Sequence, residues 1–258
     1  MKKTALIVLL ATLACVGVLV AQVILRWRRK ERGTITAGTI ETALEYNKGA
    51  LTAVWSQLSG ATVPSSPRFD LVWAYVLIAL KHHEGIYALV GQDLMAPAFA
   101  LLRSQIETEY RGLWVNLIAI DDQVNAIREH DAEPFPRFRQ MAADLDTSYG
   151  AGGWLQSFAD HWAALNGYTH SGLLQLGRQF RDDGKVGPNY SDDMVVELLV
   201  TSGAASIGCI VPIFRAMGLN DKAAALERKR PSNTPVSGKV FVMNSGHECG
   251  CWGVGWSS

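Results

Sequence analysis

Between Lys3 and Arg26 the chain passes through 22 residues, Thr4 to Leu25, without a charged side chain. Roughly 20 such residues in a helix span a hydrocarbon core, so the stretch reads as a transmembrane helix. A cleavable signal is the competing reading, with Lys2 and Lys3 as its basic start. Leu19-Val20-Ala21 is a poor cleavage site, however, and the apolar run continues through Val23-Ile24-Leu25. Thr12-Leu13-Ala14-Cys15 has the ending of a lipoprotein signal, but Thr12 stands where an aliphatic residue is wanted. The expectation is an uncleaved anchor that holds the chain to a lipid bilayer through residues 4–25. Arg26, Arg28, Arg29, Lys30 and Arg32 outnumber Lys2 and Lys3, which places the C-terminal side in the cytoplasm by the positive-inside bias. Trp27 suits the headgroup level.

The chain beyond the anchor is long enough for one sizeable core. The organisation expected is an anchor with its basic flank over residues 1–33, a helical domain over 34–225 and a flexible tail over 226–258. With 24 basic and 24 acidic side chains the net charge is zero, so no global electrostatic footprint for nucleic acid exists. The tail places His247, Cys249 and Cys251 close together. Zinc sites space cysteines by two to four residues and need a fourth ligand, so no metal is expected, and no cofactor. Four cysteines, one of them in the apolar run, imply no disulfide framework and fit a cytoplasmic domain.

Apolar periodicity predicts helices throughout the domain, giving an all-α bundle. Ile40, Leu44, Leu51, Val54 and Leu58 recur at helical spacing in the first. Ser66 and Pro67 read as an N-cap and first helical position of a second helix running to about Gly91, with Phe69, Trp73, Val76, Leu80 and Tyr87 inward. His83 falls close to that stripe, where a lone histidine is expected to be a satisfied core residue. A third helix covers Ala96 to Ile120, a short one ends near Asp131, and another spans Arg137 to Tyr149. A single helix is expected from Trp154 to about Leu176. Leu198 to Phe214 is apolar and rich in small residues. It fits a tightly packed central helix, with a second membrane span as the alternative.

The third helix carries charge onto its buried face. At about 100° per residue, Phe99, Ile106, Tyr110, Leu113 and Leu117 form one stripe, with Arg103 roughly 40° and Glu107 roughly 80° from its centre. A buried guanidinium must be paired, and Glu107, one turn on, is the nearest partner. Two readings stand: a structural ion pair that sets helix register, or a site between helices to which other polar groups come.

The string Leu165 to Gly172, LNGYTHSG, resembles the last-helix signature of HEPN-like helical bundles, a superfamily that includes bacterial toxins and abortive-infection proteins. The run RSQIETEYRGLW, Arg103 to Trp114, with a helix bearing Tyr and His later in the chain, is similar to uncharacterised bacterial members. The resemblance covers roughly residues 37–219. It implies a bacterial protein with a HEPN-like bundle able to form a homodimer and a metal-independent ribonuclease site at the dimer interface; with the anchor over residues 4–25, the expectation is a single-span protein of the bacterial plasma membrane. Asn166 and His170 match that signature's polar residue and histidine, whereas Leu165 occupies its arginine position. Arg103, from a facing helix, is the candidate to supply the missing guanidinium. Arg103 would then stabilise a developing phosphorane charge, His170 serve as general acid or base, Glu107 orient Arg103, and Asn166 position RNA.

No phosphate-cradling glycine loop, dinucleotide fingerprint, hydrolase elbow or H-E-x-x-H string occurs. Two function classes remain: a non-enzymatic, membrane-anchored interaction or defence-related module, and a HEPN-like ribonuclease with a rearranged site. Leu165 favours the first.

Overall fold

The computed structural model describes residues 39–62, 64–129, 134–150, 154–181 and 185–229. The anchor assigned to residues 4–25 and the tail from residue 230 lie outside the described residues. These form ten helices, with no strand beyond an isolated bridge between Phe180 and Val186. The all-α expectation holds for them.

Helix α1, Ile40–Leu58, starts where Thr39 accepts a hydrogen bond from the Thr42 amide at 3.3 Å. Helix α2, Pro67–Gly91, starts as the sequence indicates: the Ser66 hydroxyl accepts from the Phe69 amide at 3.1 Å and Pro67 opens the first turn. Its buried stripe is Val72, Val76, Leu80, His83, Ile86 and Val90, turned from the expected one so that Phe69 and Tyr87 lie at the edge. The reason is that α2 packs against four helices rather than one: α1, Met95–Leu117, Asp121–Glu129 and Asp192–Ala216.

Helix α3, Met95–Leu117, folds back antiparallel on α2. Close approach of the pair needs small residues, because a Cβ at Gly112 would stand 3.0 Å from that of Tyr75. The helix stops three residues before Ile120, which is 61% exposed. Arg68 closes that end: its guanidinium donates to the Val115 and Ala119 carbonyls at 2.6 and 2.7 Å and pairs with Asp121 at 2.7 Å. The Val115 carbonyl is one that a helix C-terminus leaves without a partner, and the Ala119 carbonyl lies just beyond that end.

Helices α4, Asp121–Glu129, and α5, Phe138–Tyr149, come next, the latter ended by Gly150 at φ 66°. The single helix expected over Trp154 to Leu176 is three: α6, Trp154–Asp160, α7, Trp162–Thr169, and α8, Leu173–Gly177. The first break lies at His161, whose ring Nδ1 meets the Ser157 carbonyl at 2.9 Å and whose backbone leaves the helical region at ψ 1°. At the second, Ser171 turns to φ 52° and the Gly172 amide donates back to the Gly167 carbonyl at 2.7 Å. A Cβ on Gly172 would lie 3.0 Å from the Gly167 Cα, so this turn requires glycine. The apolar periodicity runs through both joints, which is why it suggests continuity.

Helix α9, Asp192–Ala216, is the one described helix long and apolar enough, by length and composition, to cross a membrane. Here every residue from Thr201 to Phe214 is buried in the bundle, against α1, α2, α3 and α10, Asn220–Glu227. Gly203 lets α1 come close, since a Cβ there would meet the Tyr46 ring at 2.9 Å.

A candidate site on the central helix

Helix α3 touches α2, α9, α7 and α5, so it has no single buried face. One stripe is the expected one: Phe99, Ile106, Tyr110 and Leu113 are each at most 1% exposed. Phe99 stacks on Tyr168 and Tyr190 at 5.0 and 5.2 Å, and the Tyr110 hydroxyl donates to the Leu155 carbonyl at 2.6 Å.

Along the edge of that stripe runs a ridge of charge, Arg103, Glu107 and Arg111. The Glu107 carboxylate takes one guanidinium on each oxygen, Arg103 at 3.2 Å and Arg111 at 2.9 Å. Each guanidinium also lies over a ring, Arg103 over Trp162 at 4.9 Å and Arg111 over Phe135 at 4.7 Å. The Trp162 ring is in turn stacked on Phe138 at 3.7 Å. Ion pairing and cation–π contact together account for guanidiniums that keep only about a fifth of their side-chain surface in water. Arg103 therefore sits at the margin of the stripe and not within it. Its Nε is buried without a hydrogen-bond partner.

Asn166 and His170 belong to the facing helix, α7, which also carries Trp162. Asn166 is half-buried, and its side-chain carbonyl is sealed from water without a donor. His170 is exposed at the C-terminal end, its amide donating to the Asn166 carbonyl at 3.0 Å. Trp162 and His170 stand eight residues apart, which corresponds to about 12 Å of helix axis. The fold thus brings Arg103 and Glu107 into direct contact and sets them against the Trp162 end of α7, with His170 at the other end. Leu165, in the resemblance's arginine position, is a core residue at 1% exposure.

The second stripe of α3 faces α2 and α9 and carries polar groups that one-face periodicity does not mark as buried. Gln105 is 0% and Glu109 5% exposed, against Ser202 and Ser206 of α9 at 0% and 1%. The Gln105 amide nitrogen donates to Glu109 Oε1 at 2.9 Å, to the Ser202 carbonyl at 2.9 Å and to Ser206 Oγ at 3.0 Å. The Ser202 hydroxyl donates to Gln105 Oε1 at 2.6 Å, and that of Ser206 to Glu109 Oε1 at 3.1 Å. Burial pushes the Glu109 carboxyl up to about 7, against the opposing pull of the hydrogen bonds from Gln105, Ser206 and Cys209. A signal for this cluster exists: Gln105 with Glu109, and Ser202 with Ser206, share one four-residue spacing. It becomes legible only once α3 and α9 are known to face each other.

His83, in α2, is fully buried as expected, but neither ring nitrogen has a hydrogen-bond partner. Burial lowers its pKa to about 3, so the ring is neutral. Asn47 of α1 is also fully buried, its amide donating to the Leu199 carbonyl at 2.8 Å. Among the described residues no group of three or more His, Cys, Asp or Glu is placed to hold a metal ion.

The class this defines is an all-helical bundle whose polar groups are gathered on and around one central helix. The chain belongs to the family of unknown function DUF6988, which matches residues 76–228, more than half of the sequence. Neither the curated proteins nor the solved structures contain a match to it.

Proposed function

We propose that the protein is a non-enzymatic interaction module, a helical bundle carried on a membrane by residues 4–25. The observation that supports this reading is the double ion pair on Glu107. A guanidinium that stabilises a reacting phosphate must be free to leave its resting partner, whereas Arg103 and Arg111 share one carboxylate and are each packed over a ring. Incubating the full chain in detergent with cellular RNA, beside Arg103→Ala and His170→Ala, tests it. No cleavage, or the same trace in all three, is expected. Cleavage by the native chain that both substitutions abolish would establish the HEPN-like ribonuclease instead.

The partner we assign is a second copy. Leu173 and Val186 are 85% and 81% exposed, and Leu176 and Phe180 about half exposed, in one run of chain folded back on itself by the Phe180–Val186 bridge. Apolar area of this kind marks contact surfaces, and tethering copies to one bilayer raises their effective concentration. Cross-linking of the full chain in membranes is expected to yield dimers that Leu173→Glu with Val186→Glu abolishes. Undiminished dimers would remove this surface from the reading.

A further inference from the structure

Apart from the clusters on α3, a groove of about 640 Å³ opens between α1 and α10, with Gly49, Ala53, Ala225 and Leu226 as its apolar part. Lys222 ties the two helices together beside it, donating to the Gln57 carbonyl at 2.7 Å, so the groove is built into the fold. Gly49 is the residue there that packing within the chain does not call for. Glycine weakens a helix interior, and Gly85, Gly112 and Gly203 each stand where a Cβ would lie 3.0 Å or less from a neighbouring side chain. A Cβ on Gly49, in the middle of α1, would meet nothing within 4 Å. Around this uncovered backbone stand Lys48, Arg228 and Lys229 against one carboxylate, Glu45, all four exposed. None of the three cations has an ion-pair partner among the described residues. The Thr52 and Ser56 hydroxyls of the groove donate to carbonyls of their own helix, which leaves the cations as the groups open to a ligand.

We propose that this groove binds the headgroup of an anionic phospholipid, its phosphodiester held by Lys48, Arg228 and Lys229 and its glycerol lying against the uncovered backbone at Gly49. The proposal rests on the reading of residues 4–25 as a membrane anchor. Charge complementarity argues for it: three cations against one carboxylate, on a chain of zero net charge, suit the cytoplasmic leaflet, where anionic lipids are concentrated and basic pockets take up their headgroups. The positive-inside bias puts the groove on that side. Reach argues for it as well. Residues 26–39 join the anchor to α1 and span at most about 50 Å when fully extended, so the tether keeps the groove near the bilayer surface, at a high effective concentration of headgroups. An acidic protein segment would satisfy the same cations, but the tether brings lipid to the groove.

Lysine acetylation read by mass spectrometry, on the full chain reconstituted in vesicles, tests it. In phosphatidylcholine containing phosphatidylglycerol, Lys48 and Lys229 are expected to react several-fold more slowly than in phosphatidylcholine alone. Lys81, which Glu84 holds on α2 at 2.7 Å, is expected to react equally in both. Gly49→Phe fills the groove from a position whose Cβ meets no neighbour, and Arg228→Glu reverses one rim charge; each is expected to remove most of the protection at Lys48. Equal Lys48 rates in the two vesicle types would overturn the headgroup site, and protection of Lys48 in the membranes of the expressing cells would then give the groove to an acidic protein segment. Protection in Gly49→Phe equal to that of the native chain would also overturn it, as adsorption of a basic surface without the groove. Protection in phosphatidylcholine alone that grows with the protein-to-lipid ratio would assign the groove to a second copy. The anchor is read separately, by flotation of the same vesicles after a carbonate wash, in which the native chain and both variants are expected to stay bound. A native chain washed free would overturn the anchor and the proposal with it, whereas one that floats and shows equal rates would overturn the headgroup site alone.

Discussion

Replacing Leu165 by arginine is expected to unfold the bundle rather than create a nuclease. The HEPN-like resemblance places an arginine there, yet Leu165 is 1% exposed on the face of α7 that packs against α3. A guanidinium at that position must be desolvated, and Glu107 on the facing helix already holds Arg103 and Arg111. A buried, unpaired charge costs about 4 kcal/mol or more, a large share of the stability of an ordinary domain. Denaturant midpoints should show Leu165→Arg unfolded or nearly so, while Leu165→Met, which conserves volume, loses less than about 1.5 kcal/mol. A folded Leu165→Arg chain that cleaves RNA would mean that α7 can rotate this position outward, and would return the ribonuclease reading to first place.

The second large effect is expected from pH, through His83. Its folded pKa, about 3, lies below the ordinary 6.5. Between those values the unfolded chain binds a proton that the folded chain refuses, so stability falls as pH drops from 6.5 toward 3. Glu109 acts in the opposite direction. Its folded value, about 7, lies above the ordinary 4.5, so its contribution is complete below 4.5 and is lost as pH rises through 7. Glu197, whose carboxyl burial and the nearby Asp193 also raise to about 7, adds a second slope of the same sign as Glu109, so from about pH 4.5 to 6.5 the two carboxyls outweigh His83 and stability should fall as pH rises. Of these three groups, His83 sets the slope below that window, and Glu109 and Glu197 together set it just above.

His83→Leu removes two buried nitrogens that have no partners and should stabilise the chain by about 3 kcal/mol at pH 4.5, the effect of two pH units below 6.5. Its stability should then fall about twice as steeply as that of the native chain between pH 4.5 and 6.5. Urea titrations at several pH values measure this. A variant with the same profile as the native chain would show that His83 finds a partner or water in solution.

The charge on α3 is legible in the sequence because a four-residue spacing is a local matter. Arg103 and Glu107 lie one turn apart on any helix, so their ion pair can be read from the residues alone, as can the cap at Ser66-Pro67 and the stop near Gly150. The joints at His161 and Ser171 are not legible, because the apolar period that marks a helix persists across them while the turns depend on close contacts such as Gly172 against Gly167. Burial of Gln105 and Glu109 is also out of reach. A helix enclosed on two sides has two inward stripes, and one-face periodicity assigns the second to solvent.

By itself the sequence determined an all-helical domain, the positions of most helix ends, the pairing of Arg103 with Glu107, and an uncharged run long enough for a bilayer. Only the tertiary structure decided that Arg111 shares Glu107, that Leu165 is core, and that Leu198 to Phe214 lies among helices here. An apolar, small-residue helix satisfies lipid and protein interior alike, so what surrounds it is set by the packing of distant segments, which the order of residues along one helix does not encode.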